Sequence, residues 1–183
     1  MILDKNSLSS AVMEAAKNIG IAIQTAPKGK GRDTLDFRIV SNKEKMEEIA
    51  LKMEGISEKS GQKFFLRDAN NVRESDVIIL VATYIESLGL RNCGFCGKEN
   101  CENKNNFPEV PCAINTVDLG IAIGSAVSRA ADFRIDNRIM FSAGTAVKEM
   151  KMFDEKYKVI FAITLSASAK NIYFDRKPHT TNK

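Results

Sequence analysis

Hydrophobic residues recur along the chain with two different periods, and these periods predict alternating helices and strands. Between residues 8 and 24 they recur every three or four positions, as on one face of an amphipathic helix; the members are Leu8, Val12, Ala15, Ala16, Ile19 and Ile23. A strand is predicted at Leu35, Phe37, Ile39 and Val40. Asn42 then caps a second predicted helix, whose buried face carries Met46, Ile49, Ala50 and Met53.

The second half of the chain continues this alternation. A continuous apolar run over residues 77–82 predicts a buried strand, because it is short for a helix and rich in β-branched residues. A long helix is predicted over residues 115–131, where Asn115 followed by Asp118 resembles a capping box. An apolar segment at 139–141, a short helix at 145–150 and a last strand at 159–165 follow, whereas residues 57–74 fit neither period clearly. This order, without a regular βαβ repeat, indicates the α+β class in a single domain, residues 1–183.

The long helix carries a stripe of small residues at four-residue spacing, which has two interpretations. Gly120, Gly124 and Ser128 lie on one face of the helix, beside Ala122, Ala126 and Ala130. Small residues at this spacing allow another helix to approach closely. The stripe is therefore expected either to pack inside the same chain or to form the seam of a homodimer.

Composition and charge exclude several classes of function. The chain has 44% hydrophobic and 27% charged residues with a net charge of +4, values that are typical of a globular protein. Lys and Arg are dispersed and Trp is absent, so no nucleic-acid partner is expected. The N-terminus lacks the apolar run of a signal peptide, and the longest apolar stretch is far too short to span a membrane. A cytoplasmic protein with no membrane partner is predicted.

All four cysteines lie in an irregular, polar insert at residues 91–112. In a cytoplasmic protein, Cys93, Cys96, Cys101 and Cys112 indicate metal or redox chemistry more than disulfides. Four thiolates suit the irons of a four-iron four-sulfur (4Fe-4S) cluster, and they equally suit one tetrahedral zinc ion, so spacing alone does not separate the two.

Three further features of the insert favour iron–sulfur over zinc. Gly94 and Gly97 allow backbone N–H groups to turn towards cluster sulfurs. A second Cys-x2-Cys pair, which zinc ribbons usually have, is missing. Cys112 precedes the N-terminus of the long helix, whose partial positive charge favours an anionic cluster. Free buried or reactive cysteines are the third interpretation. His179, the only histidine, lies in a polar tail, so Ser–His or Cys–His nucleophilic catalysis is not expected.

The cysteine run and three later segments resemble known families. Residues 92–97 followed by Cys101 resemble the start of the 4Fe-4S domain of corrinoid iron–sulfur proteins, in which the fourth cysteine comes later than Cys112 does. Together with residues 117–126, 136–144 and 170–176, this run resembles an uncharacterised prokaryotic family described as containing a ferredoxin domain. That resemblance implies a 4Fe-4S cluster on the four cysteines and supplies no established reaction.

Outside the insert, the element order resembles the FMN-dependent nitroreductases. A helix with Ala15 and Ala16 leads into a loop at residues 26–32 that contains Pro27, and a strand follows. This resemblance implies a sheet flanked by helices, with FMN at the interface of an obligate homodimer. The Arg-rich phosphate-binding motif of those enzymes is missing from residues 3–10. The candidate replacements are Lys28, Lys30, Arg32 and Arg176, because a flavin phosphate and a reduced flavin ring both favour nearby positive charge; the alternative is a solvated basic loop.

The sequence thus predicts a homodimeric 4Fe-4S redox protein on a nitroreductase-like scaffold. It would exchange electrons with a ferredoxin-type partner and reduce a small molecule at a flavin. Two alternatives remain open. One is a ferredoxin-like electron carrier that holds the cluster without flavin, and the other is a zinc-stabilised interaction module.

Overall fold

The computed structural model describes residues 8–174, which form one antiparallel sheet and six α-helices. The helices are α1 (Leu8–Thr25), α2 (Lys43–Ser60), α3 (Phe64–Glu74), α4 (Cys101–Asn105), α5 (Ala113–Asp132) and α6 (Phe141–Glu149). The strands are β1 (Leu35–Val40), β2 (Val77–Tyr84), β3 (Asp136–Met140) and β4 (Tyr157–Ser166). A 3₁₀ turn, Gly29–Gly31, lies between α1 and β1.

The four strands are arranged in the order β1-β2-β4-β3, and every neighbouring pair is antiparallel. Strand β2 lies inside the sheet, and its residues 77–83 are buried on both faces. Ile78, Leu80 and Ala82 join the core formed with α2, α3 and α6. The alternate residues Val77, Ile79 and Val81 join the core formed with α1 and α5. The predicted sheet flanked by helices is confirmed, and burial from two sides explains the uninterrupted apolar run.

The ambiguous region at residues 57–74 contains the end of α2 and all of α3. Asn42 caps α2 as predicted, since its side-chain oxygen accepts a hydrogen bond from the Lys45 N–H at 2.8 Å. At the other end Gly61 adopts a left-handed conformation with φ of 72°, which ends α2 at Ser60. The chain reverses there, and α3 packs back against α2 on the same core.

The predicted start of the long helix is wrong by two residues. Helix α5 begins at Ala113 with Cys112 at the N-cap position, so Asn115 and Asp118 lie inside the helix and form no capping box. Their side chains accept hydrogen bonds from other parts of the chain instead. Asn115 binds the Glu86 N–H at 2.8 Å, and Asp118 binds the Gly29 N–H at 2.9 Å.

The short helix predicted at residues 145–150 starts earlier. Strand β3 ends at Met140 and α6 begins at the next residue, so the apolar segment at 139–141 straddles the junction of the two elements. Gly144 brings α6 against β4, because a Cβ at this position would lie 2.0 Å from the Ile160 carbonyl oxygen.

The small-residue stripe on α5 does not pack inside the chain. Gly120, Gly124 and Ser128 are exposed, and a Cβ on either glycine would meet no atom within 4 Å. The prediction of packing within the chain is therefore wrong for these three residues, which are free for another surface. It is confirmed for the neighbouring alanines, Ala122, Ala126 and Ala130, which are fully buried in the core formed with α1. Over residues 8–174, no helix combines the length and the apolar character needed to cross a bilayer.

The close approach of α6 to β4 gives a test of this packing. We expect Gly144→Ala to lower the free energy of unfolding by about 3 kcal/mol or more, because its methyl group would overlap backbone atoms. The matched control is Gly55→Ala in α2, where an added Cβ meets nothing within 4 Å. That change should stabilise the protein by up to about 1 kcal/mol through helix propensity. Urea unfolding of both variants checks this, and equal stabilities would contradict the packing of α6.

Candidate cofactor-binding site

Three segments distant in sequence meet at Gly29. A Cβ on this residue would lie 2.6 Å from Leu88 Cδ1 and 2.7 Å from Ile114 Cγ2, so only glycine fits. Its N–H donates to the buried carboxylate of Asp118 at 2.9 Å. The loop after α1 is thereby fastened to the first turns of α5 and to the segment that leaves β2. That segment leads directly into the cysteine insert.

The Lys28 side chain binds backbone carbonyl groups at the end of α1. This side chain is only 7% exposed, and its ammonium donates hydrogen bonds to the carbonyls of Ile23, Gln24 and Ala26 at 3.3, 2.7 and 2.9 Å. A cation at the C-terminus of a helix is favoured by the unpaired carbonyl groups and by the helix dipole. Lys28 therefore has a structural role that sequence reasoning missed.

Lys30 and Arg32 connect the same loop to the start of the cysteine insert. The Lys30 ammonium donates to the carbonyls of Leu88 and Gly89 at 3.0 and 3.3 Å. Arg32 forms an ion pair with Glu86 at 2.9 Å while half of its side chain stays exposed. Burial, followed by the charge of Glu86, raises the pKa of the neighbouring Tyr84 above its ordinary value.

The four cation candidates are thus only partly brought together. Lys28, Lys30 and Arg32 share the loop, but each already has a partner within the chain. Arg176 lies outside the described residues. Lys30 and Arg32 bind partners that are 54 to 59 residues away in the sequence. No local sequence signal could therefore have revealed these contacts.

All four cysteines are free thiols. Cys93, Cys96 and Cys101 are partly exposed, and Cys112 is buried. The polypeptide turns sharply between the first two, where Gly94 and Gly97 have φ of 64° and 77° and the Gly97 N–H binds the Gly94 carbonyl at 2.9 Å. Within residues 8–174 no three Cys, His, Asp or Glu side chains are already grouped as a metal site. Joint ligation by the four thiols therefore requires these side chains to come closer together than they are in this structure.

The start of α5 suits an anionic group bound at Cys112. No side chain caps this helix end, and its first turn carries no acidic residue. The first N–H groups of a helix lack partners within the helix and carry partial positive charge. The Asn115 side chain is also 1% exposed, and its Nδ2 has no hydrogen-bond partner. Buried donors are normally satisfied, so this N–H is available to an acceptor that enters the site.

A buried lysine within the insert also indicates that this site binds an anionic group. Lys104 is only 4% exposed and follows Cys101 by three residues, one turn further along α4. Among the residues that the structure describes, no carboxylate forms an ion pair with it. Burying an unpaired cation is unfavourable, and thiolates bound to a cluster would supply the missing negative charge. Because Lys104 lies in a polar insert, the sequence did not indicate that it is buried.

Two aromatic side chains mark the outer surface of the insert. Phe95, between Cys93 and Cys96, is 76% exposed. Phe107 is 40% exposed and carries the Lys98 ammonium 3.6 Å above its ring. Large apolar side chains this exposed often belong to contact surfaces with other proteins.

Sequence comparisons identify a family model and a relative that match this chain. A family model described as "Uncharacterized protein containing a ferredoxin domain" matches residues 109–176, which include Cys112. An uncharacterised protein from Archaeoglobus fulgidus is 40% identical over 185 residues, covering 97% of this chain and 98% of the relative.

Solved structures identify the fold. An FMN-dependent nitroreductase from Clostridium difficile has a TM-score of 0.57 at 17% identity and covers 93% of this chain and 79% of its own. A nitroreductase with bound FMN from Desulfitobacterium hafniense has a TM-score of 0.59 at 17% identity over 93% and 81% of the two chains. A BluB-like flavoprotein from Clostridium difficile 630 has a TM-score of 0.59 at 17% identity over 97% and 86%. The fold is nitroreductase-like, as predicted.

The buried lysine gives a prediction about the insert. We expect Lys104→Met to lose iron to a chelator about tenfold faster than the unmodified protein, as with other side chains that support a metal site without ligating it. The metal-free variant should be at least as stable as the metal-free parent, because an unpaired buried charge is removed. Lys98→Met, a change in the same insert at a lysine that is less buried, is the control and should retain iron normally. Equal iron loss in both variants would contradict a charge-balancing role for Lys104.

Proposed function

This chain belongs to the family described as uncharacterised proteins containing a ferredoxin domain, and on that premise we propose that it is a 4Fe-4S redox protein. The proposed ligands are Cys93, Cys96, Cys101 and Cys112. The observation that carries the proposal is the uncapped start of α5, where Cys112 occupies the N-cap and no acid competes for the helix N–H groups. A cluster with four thiolates is anionic, and such a helix end stabilises it.

The backbone of the insert favours iron–sulfur ligation over a zinc-stabilised interaction module. Gly94 and Gly97 both adopt left-handed conformations, which glycine reaches without strain. Turns of this kind direct N–H groups inwards, where cluster sulfides and thiolates accept them. Four thiolates on zinc offer fewer acceptors for such donors. When bound, the cluster would supply reversible one-electron transfer.

The exposed surface of the insert supports exchange of electrons with a protein partner. Phe95 lies between two proposed ligands and projects an apolar ring into solvent. A partner that covers this ring would exclude water from the immediate vicinity of the thiolates. Low-potential ferredoxins are the partners that this chemistry suits best, since plant-type ferredoxins work near about −400 mV.

FMN is the second proposed cofactor, supported by the nitroreductase-like fold and by the bound FMN of the Desulfitobacterium hafniense protein. Bound FMN would supply hydride and single-electron chemistry. The proposed phosphate-binding cations are Lys28, Lys30, Arg32 and Arg176. Among the three that the structure describes, Arg32 fits a phosphate best, because half of its side chain is exposed. Lys28 would have to give up three hydrogen bonds to backbone carbonyls.

A carrier with the cluster alone is the second candidate function. Its specific support is that Lys28, Lys30 and Arg32 each have a partner within the chain, so they need no cofactor phosphate to balance them. In this candidate the loop serves to hold the cysteine insert against α5. A direct assay for flavin separates it from the flavin-dependent oxidoreductase.

We also propose a homodimer that uses the exposed face of α5. The small-residue stripe borders an apolar groove of about 560 Å³ lined by Thr116, Leu119, Gly120, Ile123, Gly124, Ile139, Val159 and Phe161. Residues 157–161 of β4 beside this groove pair with β2 on one edge, and α6 lies against the other edge, where Gly144 meets the Ile160 carbonyl. A second copy of the chain would cover the groove.

The central experiment is cofactor analysis after anaerobic purification. Four irons and four acid-labile sulfides per chain are expected, and Ala substitution of any of the four cysteines should lower both and bleach the visible colour. The fold should persist in these variants, because neither core cluster contains a cysteine. Stoichiometric zinc without sulfide would contradict the cluster and favour the interaction module. Bound flavin in the same preparation would support the oxidoreductase, and its absence would support the carrier.

The dimer proposal predicts a variant that is folded and monomeric. Gly124→Arg should keep the stability of a single chain, because the position faces open space, but should prevent close approach of a second α5. Gly55→Arg, at another open helical glycine on the opposite side of the sheet, should leave the dimer intact. Sedimentation at micromolar concentration measures the oligomeric state of both variants. A parent protein that sediments as a monomer would contradict the dimer.

A further inference from the structure

The side-chain amide of Asn115 is only half satisfied. Its Oδ1 accepts a hydrogen bond from the Glu86 N–H at 2.8 Å, whereas its Nδ2 is fully buried and has no partner. Leaving a buried donor unpaired costs about 1–3 kcal/mol. The contact with Glu86 fixes the orientation of the amide, so Nδ2 cannot exchange places with Oδ1 to find an acceptor.

The place of Asn115 on α5 determines which group Nδ2 can serve. Cys112 is the N-cap residue and Asn115 is three residues further on. A side chain at this third position of a helix reaches back towards the N-cap, as in the capping box. Of the nearby acceptors, the Asp118 carboxylate already binds the Gly29 N–H, and the first turn of α5 contains no acid.

We propose that Asn115 Nδ2 donates a hydrogen bond to the Cys112 sulfur, or to a cluster sulfide beside it, and thereby raises the reduction potential of the cluster. This rests on the proposed function, because it assumes a cluster at Cys112. A hydrogen bond to sulfur draws electron density from it and favours the more negatively charged, reduced cluster. Asn115 is a positioning and tuning residue and does not ligate iron.

Two substitutions separate this role from a purely structural one. Asn115→Asp keeps an acceptor for the Glu86 N–H and removes the donor, whereas Asn115→Leu removes both. The control is Asn71→Leu in α3, which removes the other buried amide whose Nδ2 lacks a partner. Asn71 belongs to a helix on the opposite face of the sheet from α5, so its loss should not affect the cluster.

The first measurement is the reduction potential of the anaerobically purified proteins. Asn115→Leu should shift the ratio of oxidised to reduced cluster about tenfold towards oxidised at a fixed potential, or about 59 mV for one electron. Asn115→Asp should shift it further in the same direction, because it adds negative charge. Asn71→Leu should match the parent. A parent-like potential in both Asn115 variants would overturn the proposal.

The second measurement detects the proposed hydrogen bond directly. With asparagine labelled by ¹⁵N in its side-chain amide, pulsed electron paramagnetic resonance of the reduced cluster should show a ¹⁵N coupling that Asn115→Asp abolishes. A coupling that persists in Asn115→Asp, or none in the parent, would overturn the proposal even if Asn115→Leu does not fold. A normal cluster with these negative results leaves the proposed function intact. A parent protein without iron and sulfide would overturn both.

Discussion

The structure depends on burying β2 from two sides. Its residues 77–82 alternate between two cores, so helices must cover each face of the sheet, and α1 with α5 provides one of the two layers. Where β2 ends, the chain passes Glu86 and Leu88, which are held by Asn115 on α5 and by the loop around Gly29. The cysteine insert therefore starts from a rigid junction, although its own first half is irregular.

Charge is the second organising constraint, and it acts inside the insert. Lys104 is buried without a carboxylate among residues 8–174, and the first turn of α5 carries neither a cap side chain nor an acid. Both features leave positive charge uncompensated near cysteines. Four thiolates around iron and sulfide would compensate it. This agreement between two independent features is the strongest physical argument for an anionic cluster.

A structural feature could be predicted from the sequence when its signal lies within a short segment of the chain. The strand at Val77, the cap at Asn42 and the sheet flanked by helices were predicted correctly, because periodicity and capping are properties of short segments. The roles of Asn115, Asp118 and Lys30 were missed, since each bonds to a segment far away in the chain. The stripe at Gly124 was ambiguous from sequence, and only its open surroundings removed the interpretation of packing within the chain.

The central claim is that one cluster joins all four cysteines at the start of α5. Anomalous diffraction at the iron absorption edge, from crystals grown without oxygen, tests it most directly. We expect one compact iron peak within bonding distance of the sulfurs of Cys93, Cys96, Cys101 and Cys112. A single zinc ion on the four sulfurs, or an iron peak that leaves Cys112 unbound, would contradict it.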